Sequence, residues 1–403
     1  MTRLMLVDDS ALVLRILRSV FDAEEGLEIV GTASNGREAL QRLPELNPDL
    51  VVLDIEMPVM GGLEALPEIK KRYPRLPVIM FSTLTERGAK ATIEALTLGA
   101  RDYATKPTNS SDLAQAIESV RSDLVGKIRM HAPPAIAPRP PEKNPTIKSK
   151  LARMRESRSA SSHSKVLRPT PMGGNSSFAP AMHRNPPQPK TFVGSPQVVA
   201  VGVSTGGPEA LAKIVPAIPG DFPLPILIVQ HMPPTFTSLL AKRLDALSAL
   251  SVREGQDGDA VAPGSIIIAP GGRHMLVARG VSGSVIRLSD DPPVNSCRPA
   301  VDVLFDSVGE VFGGRALGVI LTGMGHDGLA GAQNLAERGC GILAQDQHSS
   351  VVWGMPRAVA EAGICDAIVP LDQIALEIQT HTRRTGPRSS VTAPNPIGTG
   401  GGR

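Results

Sequence analysis

Short apolar runs alternate with stretches of helical spacing along this chain. Residues 3–7, 49–53 and 78–81 are apolar runs of strand length, and residues 11–21 carry apolar positions at a helical period. The same pattern returns later. Residues 198–203, 225–229 and 316–321 are apolar and rich in β-branched side chains, and residues 234–247 read as a helix. Strands alternating with helices predict an α/β fold with doubly wound, mostly parallel sheets. Residues 264–269 and 275–278 read as strands joined by the Pro270-Gly271-Gly272 turn. Residues 285–288 pair with them, which adds a β-hairpin to the second block.

Between the two blocks the periodicity stops. Residues 127–196 hold 13 of the 37 prolines, with Ser, Lys and Arg between them, and only residues 151–155 suggest a short helix. Such a segment buries too little apolar surface to offset its ordering entropy. The expected organisation is a first domain at 1–125, a Pro-rich basic disordered linker at 126–195, a second domain at 196–382 and a flexible tail at 383–403. The same linker changes the charge picture. Residues 127–196 carry 13 Lys and Arg against 2 Asp and Glu, a balance of +11, so a formal charge of +3 leaves −8 on the remainder. The folded parts are acidic and the connector is basic, which fits a solvated tether better than a nucleic-acid surface.

Composition removes other classes. No apolar run reaches the length of a membrane span, and Met1-Thr2-Arg3 leads into a strand rather than a secretion signal. Three scattered cysteines, Cys297, Cys340 and Cys365, suit a reducing cytoplasm better than a disulfide framework. Aromatic residues are 3% of the chain, too few for base-stacking platforms.

In the first block, polar residues gather where strands end. Asp8 and Asp9 follow the first run, Asp54 the second, Ser82 the third, and Lys106 comes just after Thr105. The carboxyl ends of parallel strands share one edge of the sheet. Carboxylates converging there repel unless a cation joins them, and an oxygen-only donor set suits Mg²⁺. One such acid is ordinarily a solvated side chain, but four features at successive strand ends are a site. This block resembles the two-component response-regulator receiver family, including Met57-Pro58 and Gly61-Gly62 after the central Asp. The resemblance implies that Asp54 accepts a phosphoryl group from a histidine kinase. It implies that Asp9, Asp54 and the Glu56 backbone carbonyl hold Mg²⁺, with Asp8 acting through water. Ser82, Tyr103 and Lys106 fall at the family's switch positions.

In the second block the stretch QVVAVGVSTGGP combines a strand, a glycine turn and a helix start at Pro208. Gly202-Val203-Ser204-Thr205-Gly206 satisfies G-x-S-x-G, the pattern that lifts a nucleophilic Ser out of a sheet edge. A phosphate-cradling loop is a second reading, although G-x-G-x-x-G and the P-loop lysine are absent. A purely structural turn is a third. Two further strand ends offer His231 and Asp327, so a Ser, a His and an acid meet at one edge, as acyl transfer requires. The order Ser204, His231, Asp327 matches neither α/β-hydrolases nor the familiar serine proteases. His274, His326 and His348 are also present, but only His231 directly follows an apolar strand.

The segments GVSTGGP, QHMPPTFT, DGDAVAPGSIIIAPGGRHM, DDPPVNSCRPAVDVLF, GVILTGMGHDG and VWGMPRAV, in this order, resemble the chemotaxis protein-glutamate methylesterase (CheB) family. The resemblance implies a phosphorylation-regulated, cytoplasmic enzyme. It would hydrolyse glutamate methyl esters on chemoreceptors, releasing methanol, and deamidate particular receptor glutamines. Ser204, His231 and Asp327 would be its triad, with the Thr205 and Met324 backbone amides as oxyanion donors and no cofactor for hydrolysis. The partners implied are methyl-accepting chemoreceptors and a histidine kinase, for a monomer with no nucleic acid and no membrane insertion. Val203 replaces the family's usual Ala, and Cys297 stands where a ring-bearing or polar residue is common. A DNA-binding response regulator is the alternative, although the second block lacks a helix-turn-helix signal.

Overall fold

The computed structural model describes residues 1–83, 85–107, 113–132 and 195–383. The possible helix at 151–155, most of the basic linker and the tail from 384 lie outside the described residues.

The N-terminal sheet contains β1 (Thr2–Val7), β2 (Leu27–Ala33), β3 (Leu50–Asp54), β4 (Val78–Ser82) and β5 (Asp102–Thr105). All its pairings are parallel, in the order β2-β1-β3-β4-β5. β3 and β4 are buried at every position, because helices cover both faces of the sheet. The order reverses between β1 and β3, where parallel sheets open their sites. Asp8 and Asp54 therefore end adjacent central strands.

Residue 125 lies within continuous helical structure. Helix Leu113–Val120 continues through a π-helical turn, Arg121–Val125, into helix Gly126–His131. Leu124, Val125 and Ile128 are buried against the first sheet's core, so the run cannot end before them.

The C-terminal sheet contains β6 (Val198–Val203), β7 (Ile226–Gln230), β8 (Ser251–Glu254), β9 (Ser265–Ile268), β12 (Ala316–Ile320), β13 (Gly341–Gln345) and β14 (Ala367–Val369). Its order is β14-β13-β12-β6-β7-β9-β8, and every pairing is parallel. The hairpin is present, but it joins β10 (His274–Gly280) to β11 (Gly283–Ser289). β9 belongs instead to the parallel sheet, because the Ile266-Ile267-Ile268 run is buried throughout and suits a strand covered on both faces. The order reverses between β6 and β12. That places the ends of β6, β7 and β12 side by side.

Candidate active site

At the receiver edge, Lys106 Nζ lies 2.8 Å from Asp8 Oδ2 and 2.8 Å from Asp54 Oδ2. Asp8, Asp9 and Asp54 bring carboxylate oxygens within 4.8 Å of one another. Burial pushes Asp54 up to about 6 and Asp8 upward as well, although the Lys106 ammonium pulls both down. One ammonium thus leaves the cluster short of positive charge. A hard oxygen donor set with surplus negative charge fits Mg²⁺. The Glu56 side chain pairs with Arg87 at 3.0 Å, while Glu56 lines the same small cavity as Asp9, Asp54, Ser82 and Lys106. Ser82 Oγ donates to the Gly88 carbonyl at 3.1 Å, which ties the hydroxyl to helix Glu86–Thr97.

At the second edge, Ser204 directly follows β6. Its amide donates to the Thr322 carbonyl beyond β12 at 3.0 Å. The next two residues turn the chain into helix Gly207–Ile214, with Gly206 at φ +78°, a left-handed conformation open to glycine. Gly323 lets the β12 loop approach, since a Cβ there would lie 2.8 Å from the Ser204 Cβ.

His231 follows β7, and its Nε2 lies 2.8 Å from Asp327 Oδ2. Asp327 is buried and saturated. Oδ2 also accepts from the Val301 amide at 2.6 Å, and Oδ1 accepts from Asn295 Nδ2 at 2.9 Å and the Asp302 amide at 3.3 Å. The carboxylate thus sits at the N-terminus of helix Val301–Phe312, whose exposed amides favour an anion. Burial raises its pKa, but the hydrogen bond and charge of His231 with these amides hold it below the usual carboxylate range. Burial likewise disfavours the His231 imidazolium. The Asp327 and Cys297 contacts outweigh that and raise it to about 9.

The structure joins His231 and Asp327 directly. Ser204 lines the same pocket as His231, without a hydrogen bond between their side chains among the described residues. The nitrogen left over, His231 Nδ1, faces Cys297 Sγ at 3.6 Å. The Thr205 and Met324 amides have no protein acceptor among the described residues, so both are available to a developing oxyanion. His326 is exposed. His274 is buried with both nitrogens engaged, Nε2 by the Pro292 carbonyl at 3.1 Å and Nδ1 by the Ala300 amide at 3.2 Å. It holds the 292–300 loop and has no nitrogen to spare for a base.

Sequence reasoning missed Asn295 and Asp302. Asn295 Nδ2 bridges Asp327 Oδ1 and Asp302 Oδ2 at 2.9 and 2.8 Å, and Asp302 Oδ1 accepts from the Gly331 amide at 2.7 Å. The only signal was the Asn-Ser pair, suited to a tight turn with both central residues at positive φ. Asn295 and Ser296 have φ of 52° and 62°, between reciprocal backbone bonds of Val294 and Cys297.

Receiver residues wall this cleft. Leu96, Asp102, Tyr103 and Lys127 line one pocket with Ser204, Thr205, Gly206 and His231. Lys127 Nζ donates to the Tyr103 carbonyl at 2.7 Å and pairs with Asp123 at 2.5 Å. Helix Glu86–Thr97 packs on helices Gly207–Ile214 and Phe236–Asp245.

Comparison with known proteins agrees with both halves. A family profile described as CheB methylesterase matches residues 199–378, and one described as response regulator receiver domain matches residues 4–118. A protein-glutamate methylesterase/protein-glutamine glutaminase of Trichodesmium erythraeum is 43% identical over 93% of this chain and 97% of its own. Its namesake in Maricaulis maris is 44% identical over 92% of each chain. The crystal structure of the Thermotoga maritima CheB methylesterase catalytic domain is 42% identical and covers 46% of this chain and 97% of its own, with a TM-score of 0.45. With two thirds and more of such relatives covered at this identity, the chain belongs to the CheB family of receiver-linked protein-glutamate methylesterase/protein-glutamine glutaminases.

Proposed function

We propose that this chain carries out its family's reaction with Ser204 as nucleophile, His231 as general base and Asp327 as orienting acid. The substrates are glutamate methyl esters and particular glutamines on chemoreceptors, in the adaptation of a chemosensory pathway. The 2.8 Å pair of His231 and Asp327, beside Ser204 at three adjoining strand ends, carries this reading. His231 takes the Ser204 proton through the nitrogen that Asp327 does not hold. Ser204 Oγ bonds to the ester carbonyl carbon, and the Thr205 and Met324 amides receive the negative oxygen. Collapse breaks the bond to the methoxy group, which leaves as methanol with the proton from His231. Water then attacks the acyl-enzyme by the same base, releasing glutamate. With a glutamine substrate the leaving group is ammonia. Asp327 stays ionised and stabilises the imidazolium.

The receiver regulates access. Asp54 accepts a phosphoryl group from a histidine kinase, and Lys106 balances its charge. Asp8, Asp9, Asp54 and the Glu56 carbonyl are the groups that would hold Mg²⁺, which would supply charge neutralisation during phosphotransfer. Ser82 then turns from Gly88 toward the new phosphoryl oxygen, and Tyr103 moves with it. The receiver side of the Ser204 cleft loosens as the population shifts. No helix among the described residues is long and apolar enough to cross a membrane; a cytoplasmic monomer meeting the receptor's cytoplasmic part fits this reading.

The test is methanol release from methylated receptor. Ser204→Ala should lose on the order of 10⁴-fold or more, with the residue of activity coming from the oxyanion donors. Near-parent activity in Ser204→Ala would remove the nucleophile from the scheme.

A further inference from the structure

Cys297 supplies no reacting group to that scheme, yet its thiol occupies the place beside the His231 imidazole. The Asn295-Ser296 turn fixes it there, with Cys297 N donating to the Val294 carbonyl at 2.8 Å and Val294 N to the Cys297 carbonyl at 3.1 Å. Sγ lies 3.6 Å from His231 Nδ1. Zinc binds thiolate sulfur at about 2.3 Å and imidazole nitrogen at about 2.0–2.1 Å, so one tetrahedral edge between them spans roughly 3.6 Å. The second shell is also in place. Metal-bound histidines ordinarily donate their other ring N–H to a carboxylate, and His231 Nε2 has Asp327 Oδ2 at 2.8 Å. His231, Cys297 and Asp327 bring donor atoms within 4.8 Å of one another. Asp327 is already saturated by the Val301, Asp302 and Asn295 groups, so it orients the His and leaves two metal positions to water. Both ligands line a cleft of about 380 Å³, which gives an ion a way in.

We propose that Cys297 Sγ and His231 Nδ1 form an inhibitory zinc site in the catalytic cleft. Binding converts the Cys297 thiol to a thiolate and the His231 imidazolium to a neutral ligand at Nδ1, releasing both protons to solvent with no change of oxidation state. The zinc takes the lone pair that His231 needs to accept the Ser204 proton, so methanol release stops until the ion leaves. The inhibition rests on His231 being the base; the binding does not.

The experiment uses the full-length protein, ZnCl₂ and CoCl₂ as probes, and Cys297→Ala beside a Cys365→Ala control. Micromolar zinc should suppress methanol release by the parent and by Cys365→Ala, and EDTA should restore it. Cys297→Ala should keep at least the parent's basal activity, which shows that it folds, and should need at least about tenfold more zinc for the same inhibition. Cobalt should give a sulfur-to-metal charge-transfer band in the parent and in Cys365→Ala but not in Cys297→Ala. Equal zinc sensitivity of parent and Cys297→Ala, or a cobalt band that survives loss of Cys297, overturns the site. A Cys297-dependent cobalt band with unaltered methanol release would leave the metal site standing and overturn His231 as the base.

Discussion

Tyr103 of the receiver stacks on Phe236 of the catalytic domain, with ring centroids 5.1 Å apart and planes 15° from parallel. Phe236 is fully buried, and Tyr103 is 9% exposed. The Tyr103 ring is therefore spent on the wall of the other domain. Stacked pairs contribute about 0.5–1.5 kcal/mol beyond area burial, or roughly 2–10-fold in a closed-to-open equilibrium. Tyr103→Leu keeps an apolar contact and removes the stack. Unphosphorylated Tyr103→Leu should release methanol faster than the parent by a factor in that range. An unchanged or slower rate would show that the stack does not hold the cover shut.

His231 and His274, both in the C-terminal half, differ in what their nitrogens do. His231 holds Asp327 and leaves one nitrogen toward the cleft, whereas His274 is bonded at both. His231→Ala should lose activity on the scale of Ser204→Ala, and the double variant should lose little more, because triad members act as a unit. His274→Ala should keep far more turnover and lose thermal stability instead, since it unties the 292–300 loop. Methanol release and melting temperature, measured on the same preparations, separate the two roles; the opposite ranking of activities would reassign the base.

The same imidazole predicts a pH dependence. Burial opposes its charged form, but the Asp327 hydrogen bond and the Cys297 thiol raise it to about 9. A base must be neutral to take the Ser204 proton, so kcat/KM of the unphosphorylated enzyme should climb from pH 7 toward pH 9. Cys297→Ala removes part of what raises the pKa. With EDTA present to exclude metal, its rising limb should move to lower pH and its activity near pH 7 should increase. A limb that stays in place would mean that the thiol does not act on the imidazole.

Part of the site is legible in the sequence. Ser204 and His231 directly follow apolar strands and Asp327 lies in the turn after a third, and a parallel sheet must bring such strand ends to one edge, so pattern alone places them near each other. The strand β2 was not anticipated, because Leu27–Ala33 is only half-buried and carries Glu28, Gly31 and Thr32 within the run. Asn295 was not legible either. Its partner Asp327 is 32 residues away, and no periodicity links a turn residue to a carboxylate beyond another strand. The Tyr103–Phe236 stack lies further still from sequence reasoning, since it depends on how two separately folding patterns dock. What could be read was set by local burial and sheet topology; what could not be read was set by loops meeting across them.

The receiver lines the cleft that holds Ser204 and His231. Leu96, Asp102, Tyr103 and Lys127 stand around Ser204 and His231, and Ser82 Oγ donates to the Gly88 carbonyl. Receiver residues thus line the approach to Ser204. Residues 196–403 alone should therefore outperform the intact, unphosphorylated chain, chiefly in kcat/KM, because the barrier is to access. Phosphodonor should raise the intact chain toward the rate of the isolated domain. Asp54→Asn should stay at the low rate with phosphodonor present, since it retains the cover and lacks the acceptor carboxylate. The Tyr103–Phe236 contact belongs to the cover, so inhibition should weaken when Tyr103→Leu is introduced into the intact chain. If the isolated domain is no faster than the intact chain, occlusion is wrong, and phosphorylation must instead act on the catalytic groups directly or on delivery of the enzyme to its receptor.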